Sequence, residues 1–101
     1  MDKNYWYGTT VTGENVNYYN SEHFNTFLSV EPLLADLGEK KLNTRWVILG
    51  AETGFRNGKV TPEQGWIKNV VDACAESGIP LFMKNNILPY WQGKIIQQLP
   101  F

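Results

Sequence analysis

The apolar positions fall into four short clusters separated by polar stretches. Tyr5-Trp6-Tyr7-Gly8-Thr9-Thr10-Val11 is rich in aromatic and β-branched residues, which suit a pleated, half-buried surface, and predicts a strand. Thr26-Phe27-Leu28-Ser29-Val30 predicts a second, closed by Glu31-Pro32. Arg45-Trp46-Val47-Ile48-Leu49-Gly50 predicts a third, and its continuous apolar run implies burial on both faces. Pro80-Leu81-Phe82-Met83-Lys84 predicts a fourth. Between the last two, Ile67, Val70, Val71 and Cys74 recur at the spacing of one helical face. Thr61 as N-cap, Pro62 at the first helical position and Gln64 as capping-box partner predict a helix over 61–77. Gly78 offers a left-handed cap, and Pro80 stops continuation.

The segments between strands, 12–25, 31–44 and 51–79, are each long enough for the crossover that parallel pairing demands. The fold expected is α/β: four mainly parallel strands in sequential order with βα crossovers, a partial (half) TIM-like barrel forming one domain over 1–101. The first two crossovers lack a clean helical stripe and predict short or irregular helices. Crossovers of one hand cover one sheet face. Along the third strand Trp46 and Ile48 point one way and Val47 and Leu49 the other, so the second face is also apolar and would stand open. The first and fourth strands would be bare edges. A homodimer, a missing amino-terminal half, or a local fold-back of segment 14–24 or the tail 90–101 would each relieve this.

Charge and cysteine usage narrow the chemistry. Nine Lys and Arg against ten Asp and Glu give a net charge of −1, too few cations to hold nucleic acid by phosphate neutralisation. No apolar run spans a bilayer, and the amino terminus lacks a leader's apolar stretch, so no membrane partner and a cytoplasmic location are expected. Cys74 is the single cysteine and His23 the single histidine. A disulfide, a cysteine zinc site and an iron–sulfur cluster held by this chain alone are therefore excluded. Cys74 lies on the helix's apolar stripe and reads as a core residue; His23, remote from any strand end, reads as a solvated surface residue.

In parallel α/β proteins, ligands bind beyond the carboxyl ends of the strands. Those ends carry Thr9, Thr10 and Thr12, then Glu31, then Glu52 and Thr53, then Lys84, Asn85 and Asn86. The ligand-binding candidates are Thr9, Thr10, Glu31, Glu52, Thr53, Arg56, Lys84 and Asn85. Glu31 and Glu52 are the catalytic candidates, as an acid/base pair. Strands that simply end in polar residues would give the same pattern. In loop 50–59, Arg56 and Lys59 could hold an anion, but Gly54 and Gly58 stand one residue too close for a Walker loop and Val60 replaces its Ser or Thr. Tyr5, Trp6, Tyr7, Tyr18 and Tyr19 suggest a base-stacking platform, yet without neighbouring cations they read as core or interface residues.

Asn4–Val11, then Phe27-Leu28-Ser29-Val30-Glu31-Pro32-Leu33-Leu34, then Trp46-Val47-Ile48-Leu49-Gly50-Ala51-Glu52-Thr53-Gly54, then 80–84 follow one another in an order that resembles a known group. Together they look like the carboxyl-terminal part of the phage and prophage "gene product thirty-seven / sixty-eight" family, a radical-SAM-like group of unknown reaction. The resemblance covers nearly the whole chain, and its most specific pieces are 29–34 and 50–54. It implies a partial or full (β/α) barrel in which Glu31 and Glu52, inside matched segments, help hold cofactor and substrate. S-adenosylmethionine and an iron–sulfur cluster are implied only for full-length relatives. The cluster's amino-terminal cysteines are absent here, so no cofactor and no catalysis are expected of this chain alone. A stand-alone protein- or ligand-binding module of phage origin is the alternative.

Overall fold

β-branched and aromatic residues pair where the sequence pattern places them. The computed structural model describes residues 5–13, 17–18, 25–38, 41–55 and 57–101. Its elements are β1 (Trp6–Thr10), β2 (Asn25–Val30), β3 (Val47–Leu49), α1 (Gln64–Ser77), β4 (Leu81–Met83) and a 3-10 helix at Asn85–Tyr90. The strands form one sheet in the order β1-β2-β3-β4, every neighbour parallel. Register is continuous across it: Val30 lies beside Leu49, and Leu49 beside Met83. The architecture is α/β, with four parallel strands and one α-helix among the described residues.

Alternation along the strands sorts the sheet into two faces. One carries Leu28, Val30, Val47, Leu49, Leu81 and Met83, all buried, which share a core with Ile67, Val70 and Cys74 of α1. Full burial of such a side chain contributes about 1.5–3 kcal/mol, so this row is a substantial part of the fold's stability. Leu33, Leu37 and Leu42 of the second crossover and Ile87 of the 3-10 helix join the same core. The described part of that crossover holds no helix; it is irregular, contrary to expectation where a short helix was expected. Asp36 fastens it instead, its Oδ1 accepting from Gly38 N–H (2.9 Å) and from Asn69 Nδ2 of α1 (2.8 Å). The Asn69 bond, then the Gly38 bond, hold the Asp36 carboxyl below its ordinary value. Most of the first crossover, including Tyr19 and His23, lies outside the described residues.

The helix ends as the sequence predicts and begins later. Gly78 adopts a left-handed φ of 66°. Its N–H donates to Ala75 O and that of Ile79 to Cys74 O, a Schellman arrangement that satisfies two terminal carbonyls. The amino end starts at Gln64, with Glu63 as a cap whose side chain makes no capping bond. The capping box expected from Thr61 and Gln64 does not form, because Gln64 Oε1 accepts from Gln92 N–H (2.8 Å).

Cys74 is 2% exposed, and burial pushes its thiol from the ordinary 9.0 up to about 12. The unfolded chain would ionise near 9.0 while the folded one keeps the proton, so this group's stabilising effect falls away as pH rises from 9.0 toward 12. At pH 8 a disulfide reagent should modify Cys74 only at the rate of unfolding, becoming fast in denaturant. Rapid labelling of the native protein would contradict its place in the core.

The carboxyl-terminal tail corrects the expectation that β4 is a bare edge. Met83 N–H donates to Ile96 O and Gln98 N–H to Leu81 O, each at 2.7 Å, around an antiparallel bridge between Phe82 and Gln97. The Gln97 side chain adds a bond to Met83 O, and the Gln98 side chain one to Leu81 N–H. Beyond this ladder, Trp46 Nε1 donates to Gln98 O (3.0 Å), and the Phe101 ring stands 6.2 Å from both Trp6 and Trp46. The tail thus folds back over part of the second face.

Candidate functional site

The second face carries Glu31, Gly50 and Lys84 at the carboxyl ends of β2, β3 and β4. Each follows its strand's last residue, and those residues, Val30, Leu49 and Met83, are in register. Backbone bonds hold all three ends: Gly50 N–H to Val30 O, Leu33 N–H to Gly50 O and Lys84 N–H to Leu49 O. Lys84 Nζ meets Glu31 Oε2 at 2.8 Å, so the pair reaches across β3. Gly50 is what permits this. A Cβ there would fall 3.0 Å from Glu31 Oε1 and 3.1 Å from its Cδ, inside ordinary contact distance. The Glu31 and Lys84 side chains are 27% and 46% exposed, which leaves the pair within reach of a ligand. The Glu31–Pro32 peptide bond is cis.

The other sequence candidates divide. Glu52 does not pair with Lys84 in the way Glu31 does; its Oε2 accepts from Val60 N–H (3.1 Å), clasping the base of loop 53–59. Thr53 is exposed on that loop, and Arg56 lies outside the described residues. Thr10 sits on the Glu31 side of the sheet and Thr9, beside Leu28, on the other. Asn85 Oδ1 accepts from Gln97 Nε2 (3.2 Å), tying the 3-10 helix to the tail. Glu31 and Lys84 are two candidates that the fold joins directly, through their ion pair.

Two contributors escaped sequence reasoning. Gly50 was legible as a loop glycine, but its role as the floor between two charges needs the register. Asn86 stands at a strand end, yet it works as a backbone mimic: its Oδ1 accepts from Ala51 N–H (3.0 Å) and its Nδ2 donates to Ala51 O (3.2 Å). This double bond fixes the residue between Gly50 and Glu52 against the 3-10 helix.

A concavity of about 650 Å³ lies at the opposite end, between 41–44 and the end of α1. Among its lining residues the buried polar one, Thr44, is committed to Thr26, whose carbonyl accepts its hydroxyl (3.1 Å). Among the described residues, no three His, Cys, Asp or Glu side chains gather to hold a metal ion, and no helix is long and apolar enough to cross a membrane.

No curated protein and no solved structure matches this chain. A family model does, over residues 1–93, and it spans β1 to the 3-10 helix and the whole Glu31–Gly50–Lys84 row. The chain belongs to that family, described as protein of unknown function (DUF5131).

Proposed function

We propose that this chain is the carboxyl-terminal part of a radical-SAM-like partial (β/α) barrel of phage or prophage type, supplying a ligand-holding rim and not the redox centre. The observation that carries this reading is the Glu31–Lys84 pair over Gly50, at the carboxyl ends of three sequential parallel strands. Ligand sites of TIM barrels and of open parallel α/β sheets occupy that position. The chain's own residues do not fit an iron–sulfur cluster. Its single thiol is buried in the helix core and protonated at any physiological pH, whereas a cluster needs about three or four accessible thiolates. A cluster would have to come from another polypeptide segment, and this chain's residues would hold and orient what binds beside it.

The uncovered remainder of the second face supports a second expectation, that the chain does not work as an isolated monomer. Trp6, Phe27, Ile48 and Phe82 remain partly exposed there despite the tail. Light scattering at micromolar concentration should therefore show a homodimer or larger species. A clean monomer would mean that the tail suffices as cover.

Sequencing the DNA upstream of Met1 tests the main reading. An adjoining or in-frame coding segment with a three-cysteine cluster is the expected result. A promoter directly before Met1, with no such cluster nearby, overturns it in favour of a stand-alone binding module. That second reading draws on the tail, which closes the β4 edge within the chain itself.

A further inference from the structure

The face that bears the charged pair changes character along the strands. Next to Glu31, Gly50 and Lys84, one pleat toward the amino ends, lie Ser29, Ile48 and Phe82, in register with one another. One pleat further lie Phe27 and Trp46, their rings 5.9 Å apart, with Trp6 6.2 Å from Trp46. Successive rows on one face are about 6.6–6.8 Å apart. A charged row is thus followed by an apolar one and then by an aromatic nest.

We infer that this rim and the apolar row beneath it bind a free aromatic α-amino acid, its head group on Glu31 and Lys84 and its ring over Ile48 and Phe82. The inference deepens the reading of the rim as a ligand holder, and it is independent of any radical chemistry. Charge complementarity selects the head group. A carboxylate and an ammonium in contact offer partners to both ends of a zwitterion: the α-ammonium donates to Glu31 and the α-carboxylate accepts from Lys84. A ligand with a single charge would leave one protein charge without its partner. Because the pair is partly exposed, opening it costs little, and insertion replaces one ion pair by two. The Glu31 carboxyl now lies over Gly50, within 3.0–3.1 Å of where a Cβ would stand; opening the pair moves it aside, and the glycine then leaves that space to the ligand's Cα. The ring then falls about one row away, over Ile48 and Phe82. The aromatic nest beyond that row already meets one phenyl ring at its edge, that of Phe101, which is 82% exposed.

Amide chemical-shift titration of the full chain tests this with four probes: L-phenylalanine, L-serine, phenethylamine and 3-phenylpropionate. L-phenylalanine should give saturable shifts at Glu31, Ile48, Gly50, Phe82 and Lys84. The two single-charge analogues should bind roughly tenfold more weakly, the loss expected for one charge-assisted hydrogen bond. Glu31→Gln and Lys84→Met should each weaken L-phenylalanine by a similar factor while the remaining spectrum stays folded. If L-serine binds as well as L-phenylalanine, the aromatic assignment falls and the rim remains a ligand site. If the single-charge analogues match L-phenylalanine, or shifts cluster at Trp6 and Phe101 alone, recognition of the zwitterion is overturned. If no probe saturates, the inference fails, whereas the upstream coding sequence tests the reading it rests on separately.

Discussion

Replacing Leu49 by alanine should cost about 2–5 kcal/mol of stability, the range for emptying a fully buried leucine site. Leu49 is 0% exposed in the third strand of the sheet, flanked in register by Val30 and Met83, both also 0% exposed. Both neighbours are held by backbone bonds, Val30 to Gly50 at the end of β3 and Met83 to Ile96 of the tail, so the site has little freedom to collapse. For a domain of this size each kcal/mol lowers the melting temperature by about 4–8 °C, so a fall of about 8–40 °C is expected. Urea denaturation followed by tryptophan fluorescence measures it. Ile48→Ala, on the half-buried face one residue away, should cost clearly less. A Leu49→Ala loss smaller than that of Ile48→Ala would mean the core lies on the other side of the sheet.

The second large effect belongs to Asn86. Removing its amide leaves the N–H and C=O of Ala51 without these partners, and Ala51 is 2% exposed. An unsatisfied buried backbone group costs about 1–3 kcal/mol, so Asn86→Ala should lose about 2–4 kcal/mol once water reaching the half-buried site is allowed for. Asn86→Asp is the sharper variant. Its carboxylate can still accept from Ala51 N–H, but it also faces the Ala51 carbonyl oxygen, which it cannot satisfy. The aspartate form should therefore be destabilised at neutral pH and partly recover in acid, when a protonated carboxyl can donate again. Equilibrium denaturation against pH, with hydrogen exchange at the Ala51 amide, checks both. An alanine variant as stable as the parent would show that the clamp is decorative. Because Ala51 separates Gly50 from Glu52, loosening it should also disturb the charged row.

What could be read directly from the chain was local. The four strands and their parallel sequential order followed from β-rich clusters spaced by crossovers, since spacing and side-chain type act along the sequence. The helix end at Gly78 was legible for the same reason, because a left-handed cap involves only its own last turn. Glu31 and Lys84 were visible as strand-end residues, and the DUF5131 family spans the segments that first suggested a barrel relative. Tertiary structure decided what depends on partners remote in sequence. The helix starts late because Gln64 serves Gln92 instead of the Thr61 cap. The β4 edge is closed by residues 96–98, whose short Ile-Gln-Gln stretch carries no strand signal until β4 offers it a ladder. Glu52 is drawn away from the charged pair by Val60 at the base of its own loop. The site itself needed both kinds of information. Residue type announced one carboxylate and one ammonium, but only the register set them on either side of a glycine, where two charges a strand apart can touch.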